Sequence, residues 1–219
     1  MEKKNIILIA VAIIAIVAVA AAIFSTGVFN KTVTNTIGES TPFENSFMEG
    51  SFSGKAKLMN NSSDFMQSYK DTEHNITYNI STVDNSTALM DIYYVQGVTN
   101  PEHRSFNGND WNIYFSQAIQ GNDTNNKVNI IICQSQGEKQ GYLIYMIIDS
   151  KTDLNVSSNV FGEPYKSYVE PLLKSITLKE SSNVPAINDQ FGLSESDFAK
   201  QMDLVHQYKS GNTSVLQGS

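Results

Sequence analysis

The sequence predicts an α+β fold: an antiparallel β-sheet covered by helices on both faces, preceded by one N-terminal transmembrane helix. Three observations lead there. The run from Ile6 to Phe24 holds 19 residues with no charge, Pro or Gly. The segments KVNIIICQS and GYLIYMIID are apolar on both alternating faces, so a sheet centred on them needs cover on both sides. EPYKSYVEPLLKSITL repeats apolar residues at helical spacing and supplies one cover.

As a helix, the first run is roughly 28 Å long at about 1.5 Å per residue, close to the ~30 Å hydrocarbon core of a bilayer. Twelve of its residues are Ile, Leu, Val or Phe, which together favour mid-membrane by roughly −4 to −7 kcal/mol. Lys3 and Lys4 flank one end and Ser25-Thr26-Gly27 the other, so the positive-inside bias leaves the N-terminus cytoplasmic and the bulk extracytoplasmic. The localisation expected is a cell membrane, crossed once. The alternative is secretion after signal cleavage, because Ala18-Val19-Ala20 and Ala20-Ala21-Ala22 have the small residues of cleavage sites. The run exceeds the usual signal-peptide core, which favours retention. The chain then divides into a signal-anchor (1–27), a flexible tether (28–44), an α+β extracytoplasmic domain (45–180), and a linker with a C-terminal amphipathic helix (181–219).

The net charge of −7 and a single arginine, Arg104, among fifteen basic residues exclude a nucleic-acid binder, which carries a basic face. One cysteine, Cys133, excludes an internal disulfide framework, so stability comes from packing. Nine Asn-x-Ser/Thr sequons begin at Asn30, Asn60, Asn61, Asn75, Asn79, Asn85, Asn122, Asn155 and Asn212 and are the candidate glycosylation sites. An AT-rich coding bias toward Asn, Ile, Lys and Tyr is the competing explanation for their number. Glycans would require these side chains to face solvent.

Along the chain, Met48, Phe52, Ala56 and Leu58 fall at even offsets in a first strand, with folding starting near Phe47. SDFMQSYKDTE reads as a short helix capped by Ser62 or Ser63 and presenting Phe65, Met66 and Tyr69. HNITYNISTV alternates as a half-exposed strand, with Ile76, Tyr78 and Ile80 opposite Asn75, Thr77, Asn79 and Ser81. TALMDIYYVQG supplies an antiparallel return, and NPEHRSFNGND a loop. DWNIYFSQAI places Trp111, Ile113 and Phe115 on one face. In the next two strands Val128, Ile130 and Ile132 oppose Ile131 and Cys133, and Tyr142, Ile144, Met146 and Ile148 oppose Leu143, Tyr145 and Ile147. Pro171 lies off the apolar stripe of the following helix, which predicts a kink or restart there. Ile176 and Leu178 suggest a last edge strand. The terminal helix SESDFAKQMDLVHQYKSGN has Glu195 and Asp197 in its first turn, His206 and Lys209 in its last, Gly211 at its stop, and a stripe of Phe198, Met202 and Val205 that is expected to dock on its own domain, with a partner-binding helix as the alternative.

The strands ending in GYLIYMIID, followed by EPYKSYVEPLLKSITL running into a strand, resemble the PsbP-like family of photosystem II extrinsic proteins and their prokaryotic relatives over about residues 88–180. No Pro followed shortly by Trp stands after the first strand, where such domains often have one. The resemblance implies an α/β/α sandwich around an antiparallel sheet and a non-catalytic accessory or binding role. It carries over no binding residue.

No catalytic, cofactor-binding or metal-ligating residue is assigned from the sequence. His74, His103 and His206 are scattered, and His103 between Glu102 and Arg104 reads as a solvated loop residue. Asp149-Ser150-Lys151-Thr152-Asp153 and Asn107-Gly108-Asn109-Asp110 have calcium-loop composition only. Lys151 stands at a ligand position, Leu154 where the turn needs Gly, and neither segment has the terminal Glu, so both read as turns. Cys133 among isoleucines reads as a buried, unreactive thiol. The expectation is a non-catalytic binding or accessory domain of the cell envelope. It has a single membrane span, an envelope protein or ligand as partner, and no cofactor. The alternatives are a pilin-like structural subunit, against which Lys4-Asn5 stands where the cleavage site wants Gly, and an extracytoplasmic enzyme.

Overall fold

The computed structural model describes residues 40–59, 64–95, 97–119, 127–148 and 161–216. The run 6–24 lies outside them, and none of the described helices is long and apolar enough to cross a membrane.

The chain forms two antiparallel sheets. The larger has seven strands in the order β3-β4-β5-β9-β8-β7-β6: β3 (Ala56–Leu58), β4 (Met66–Asp71), β5 (Ile76–Val83), β6 (Glu102–Phe106), β7 (Asn109–Ile119), β8 (Lys127–Gln136) and β9 (Gly141–Ile148). The smaller is β1-β2-β10, formed by Ser40–Glu44, Met48–Ser53 and Thr177–Leu178. Helices α1 (Ser86–Val95), α2 (Glu170–Ser175), α3 (Ile187–Gln190) and α4 (Glu195–Lys209) complete it, with a π-helical turn at Tyr165–Val169. The fold class is α+β, as expected.

The doubly apolar strands sit where their composition demands, at the centre. On the first face, Ile131, Cys133, Tyr142, Ile144 and Met146 join Met48 and Phe52 of the small sheet, Phe47 of its β1–β2 turn, and Tyr165, Val169, Leu172 and Leu173 of the helical segment in one core. On the second, Val128, Ile130, Ile132, Leu143 and Ile147 join Leu89, Ile92 and Tyr93 of α1 and Met202 and Val205 of α4. The cover on the first face is therefore a mixed layer of small sheet and short helix. This differs from the expectation of helices alone, and its source is β1 and β2, whose Phe43 and Phe52 rings stack at 4.7 Å.

Four local expectations are corrected. The segment read as tether up to residue 44 ends in β1, held by pairing to β2 and by the one large apolar side chain, Phe43. SDFMQSYKDTE contains β4, because the chain reverses at Asp71–Asn75 and pairs Met66–Asp71 with β5. TALMDIYYV is α1, capped by the Asn85 side chain accepting from Ala88 N at 3.0 Å. NPEHRSFNGND contains β6, joined to β7 by Asn107-Gly108 with both residues at positive φ (50° and 79°). That backbone suits a two-residue hairpin, where Asn-Gly is favoured.

The helix at Pro171 restarts as anticipated. Glu170 N bonds Tyr165 O, five residues back, and the α-helix then begins with Pro171 in its first positions, where a missing N–H costs little. β10 is an edge strand on β2. The terminal helix α4 docks on its own domain through Met202 and Val205.

Candidate functional site

Among the described residues, three of the four buried side-chain polar atoms without a hydrogen-bond partner, Tyr78 OH, Trp111 Nε1 and Tyr165 OH, belong to the first core. Buried polar groups are normally paired, so such a concentration marks a place to look for chemistry. The π-helical turn lies over it, and turns of this kind recur at functional sites.

Around Tyr165 the structure builds a nest of rings. Phe161 meets it edge-on at 5.0 Å, Phe115 of β7 lies at 6.3 Å, and Phe115 meets Phe161 edge-on at 6.0 Å. β6 contributes Arg104, whose guanidinium carbon sits 4.0 Å from the Phe161 ring centre. Arg104 is paired in register with Trp111, so both project from the same sheet face as cross-strand neighbours. At the rim, Lys174 bonds Glu170 at 2.5 Å and lies 6.0 Å from the Phe106 ring centre. Burial pushes the Tyr165 hydroxyl up to about 12, with Glu170 and Cys133 adding to the rise and Arg104 opposing it.

A second corner joins Asp71, His74 and Tyr168. Fully buried Asp71 accepts from Glu73 N at 2.9 Å and His74 N at 3.1 Å, and its other oxygen lies 2.7 Å from His74 Nδ1. The His74 ring faces Tyr168 at 5.2 Å. All these Asp71 bonds close the β4–β5 hairpin, so the carboxylate is explained as a turn clasp. Gly54, at φ +100°, leaves it room, since a Cβ there would approach Asp71 Oδ2 to 2.5 Å. Tyr78 is raised by burial, then by Asp71 and Tyr168.

The histidines singled out by sequence do not meet. His74 lies by the β4–β5 turn, His103 is exposed on edge strand β6 at the opposite side of the sheet, and His206 on α4 faces Asp91 at 3.3 Å. Among the described residues no group of three or more His, Cys, Asp or Glu is placed to hold a metal ion. Asn107-Gly108 is the β6–β7 turn, and Asp110 accepts from Ser105 Oγ across that hairpin. Asp149 to Asp153 lie outside the described residues. Cys133 is fully buried and burial raises its thiol. Of the sequons, Asn75, Asn85 and Asn212 are exposed, while Asn79 is half-buried in β5 and accepts from Ser68 Oγ at 2.7 Å. Asn30, Asn60, Asn61, Asn122 and Asn155 lie outside the described residues.

Sequence reasoning placed Arg104 in a loop and so missed its pairing with Trp111. The Asn-Gly pair at 107–108 was the available signal, since it folds 102–106 back onto 109–113.

No family model matches the chain, and no curated protein does. Among the solved structures similar to it are the following two. One is a crystal structure from Bacteroides thetaiotaomicron, at 5% identity and a TM-score of 0.42, covering 68% of this chain and 51% of that one. The chain thus spans about half the length of that protein. The other is the solution structure of a cyanobacterial PsbP (CyanoP) from Synechocystis, at 10% identity and a TM-score of 0.40, covering 69% of this chain and 99% of that one.

Proposed function

We propose that the chain is a membrane-tethered extracytoplasmic domain of PsbP-like architecture that binds another envelope component and does no chemistry on it. The observation that carries this reading is the uncharged 19-residue run 6–24 flanked by Lys3 and Lys4. The candidate site agrees with a binding role, because what it offers is rings and unsatisfied donors. The exposed sequon asparagines Asn75, Asn85 and Asn212 are the described positions open to glycans.

Two measurements on the tagged full-length protein test it. Protease added to intact cells should remove the domain and leave the tag at the cytoplasmic N-terminus protected. Affinity capture from native membranes should then retain one envelope component at fixed stoichiometry. Recovery of the chain in the soluble cytoplasmic fraction would overturn the reading. N-terminal sequencing separates a retained anchor from a cleaved signal, since cleavage near Ala20 or Ala22 removes the span.

A further inference from the structure

The large sheet ends in β6, and among the described residues no strand pairs with its outer side. Glu102, His103, Arg104 and Ser105 are all exposed. The register with β7 is unbroken from Phe106↔Asn109 to Glu102↔Ile113. A two-residue turn makes its closing pair a hydrogen-bonded one, and such pairs alternate, so Phe106, Arg104 and Glu102 bond to β7 through their backbones. The N–H and C=O of His103 and Ser105 therefore point outward, where an unpaired edge is a template for a further strand. The Arg104 side chain agrees, since its Nη1 donates to the His103 carbonyl at 3.0 Å.

The charge pattern of the edge selects its occupant. Glu102 and Arg104 share one sheet face, and among the described residues neither is in an ion pair. When two copies pair antiparallel about a two-fold axis at His103, Glu102 of each stands opposite Arg104 of the other. Those flanking positions are non-hydrogen-bonded pairs, in which side chains approach most closely, and opposite charges there stabilise a sheet. Moving the axis by one residue sets Arg104 against Arg104 or Glu102 against Glu102, and like charges directly opposite are destabilising. An axis at Ser105 leaves Arg104 facing Phe106 and forms no ion pair. The order Glu-His-Arg on an open edge is thus complementary to itself. We propose that β6 pairs antiparallel with β6 of a second copy of this chain, joining two large sheets into one across an axis at His103. His103 exchanges both backbone bonds with its counterpart, and Ser105 N–H donates to the Pro101 carbonyl across the axis. Arg104 leaves its own His103 carbonyl for the Glu102 carboxylate of the second copy, a charge-assisted and stronger acceptor. Its stacking on Phe161 is compatible with that fork. Pro101 has no N–H and ends the ladder. This contact goes beyond the proposed function and depends neither on the tether nor on the envelope component captured.

The ladder is short and the contact correspondingly weak, so cross-linking reads it better than size. Cys133, the only cysteine, is buried, which leaves an introduced cysteine as the accessible thiol. Concentrated full-length protein in detergent is treated with a mild oxidant. His103→Cys should cross-link into a dimer, because facing Cα atoms of a hydrogen-bonded pair stand about 5.5 Å apart, inside the range a disulfide spans. Ser105→Cys should cross-link at least ~10-fold less, its two copies lying about 14 Å apart along the strands. In the His103→Cys background, Glu102→Arg or Arg104→Glu alone should cut the dimer about 10-fold by setting like charges opposite each other, and the two together should restore it. Restoration excludes misfolding as the cause of the single losses. No dimer from His103→Cys, equal dimer from Ser105→Cys, or no recovery in the charge-swapped double variant would each overturn the proposal. Capture of an envelope component would survive any of these results, which separates the failure of this contact from the failure of the binding role.

Discussion

At the scale of single residues, the first core tests what a buried hydroxyl contributes. Tyr78 and Tyr142 are both buried on the first face of the sheet, at 0% and 1% exposure, but only one is satisfied. The Tyr142 hydroxyl accepts from Gln140 Nε2 at 2.8 Å and donates to the Lys179 carbonyl at 3.1 Å, whereas Tyr78 OH has no partner. Tyr142→Phe should therefore cost about 1–2 kcal/mol, and Tyr78→Phe should be neutral or stabilising by up to about 1 kcal/mol, because it removes a desolvated group and keeps the ring. Urea unfolding of the two variants, measured side by side, checks the order. A larger loss for Tyr78→Phe would mean that its hydroxyl is bonded in solution. Both tyrosines were legible as inward-facing from alternation alone. Which hydroxyl is satisfied was not, because Gln140 lies in a loop and Lys179 follows β10, and only the tertiary fold brings them to Tyr142.

At the scale of elements, two of the segments misread in sequence have short apolar patterns that fit either period. In TALMDIYYV the buried Ala88, Leu89, Ile92 and Tyr93 follow helical spacing, yet the run is also continuous enough to pass for a buried strand. The decisive signal is the Asn85 cap. In SDFMQSYKD, Phe65, Met66 and Tyr69 sit at helical offsets, but Phe65 and Met66 are 37% and 40% exposed and it is Ser68, Tyr69 and Asp71 that are buried, so pairing with β5 decides the outcome. By contrast β8 and β9 were legible as central strands, because apolar residues on both alternating faces fit only a position covered on both sides. The start of α1 makes a contact that no local pattern encodes. Gly141 of β9 lies so close to Ser86 that an added Cβ would overlap the Ser86 side chain and approach its backbone nitrogen to 2.6 Å. Ser86 Oγ is meanwhile held by Gln134 Nε2 at 2.9 Å and by Gln136 Oε1 at 2.9 Å. Gly141→Ala should then cost about 1–3 kcal/mol of overpacking, read as a lower Tm, and Ser86→Gly should restore only part of it because the backbone clash persists. At α4 the cap is electrostatic as well. Ser194 Oγ accepts from Asp197 N and donates to Asp197 Oδ2, and Lys200 bonds Oδ1. Lys200 first and Ser194 second hold the Asp197 carboxyl below its ordinary 3.8. A depressed folded value favours the folded state above pH 3.8, and that contribution is lost as pH falls through the folded value. Ser194→Ala should cost about 1 kcal/mol near neutrality, with the gap from the parent protein narrowing below the ordinary carboxylate value in a pH series of thermal melts.

At the scale of the whole molecule, the seven-stranded sheet separates two cores that share no side chain, and each is closed by a different part of the chain. The first is sealed by the small sheet and the helix around Pro171. The second depends on α4, nearly fifty residues beyond the last strand of the large sheet. Met202 and Val205 press on the α1 side, and Asp91 of α1 receives Lys209 Nζ and lies 3.3 Å from His206 Nε2. The connecting segment is tied at Ser181, whose N–H donates to Gln140 Oε1 at 3.0 Å, and at its far end, where Asp84 N donates to the Pro185 carbonyl at 3.3 Å and Asp84 Oδ1 accepts from Ile187 N at 2.8 Å. Surface ion pairs of this kind contribute little, so apolar contact holds the helix. Val205→Asp, which buries an unpartnered carboxylate, should weaken docking by about 3 kcal/mol. The undocked helix would uncover the α1 residues it packs on while leaving Trp111 in the first core untouched. The expected signature is therefore split: faster proteolysis between residues 181 and 186 and increased binding of an apolar dye, with the Trp111 emission maximum unchanged. If Trp111 emission shifts red at the same variant, the sheet does not insulate the two cores and they unfold as one unit. If cleavage at the linker stays slow, α4 is held by contacts other than Val205.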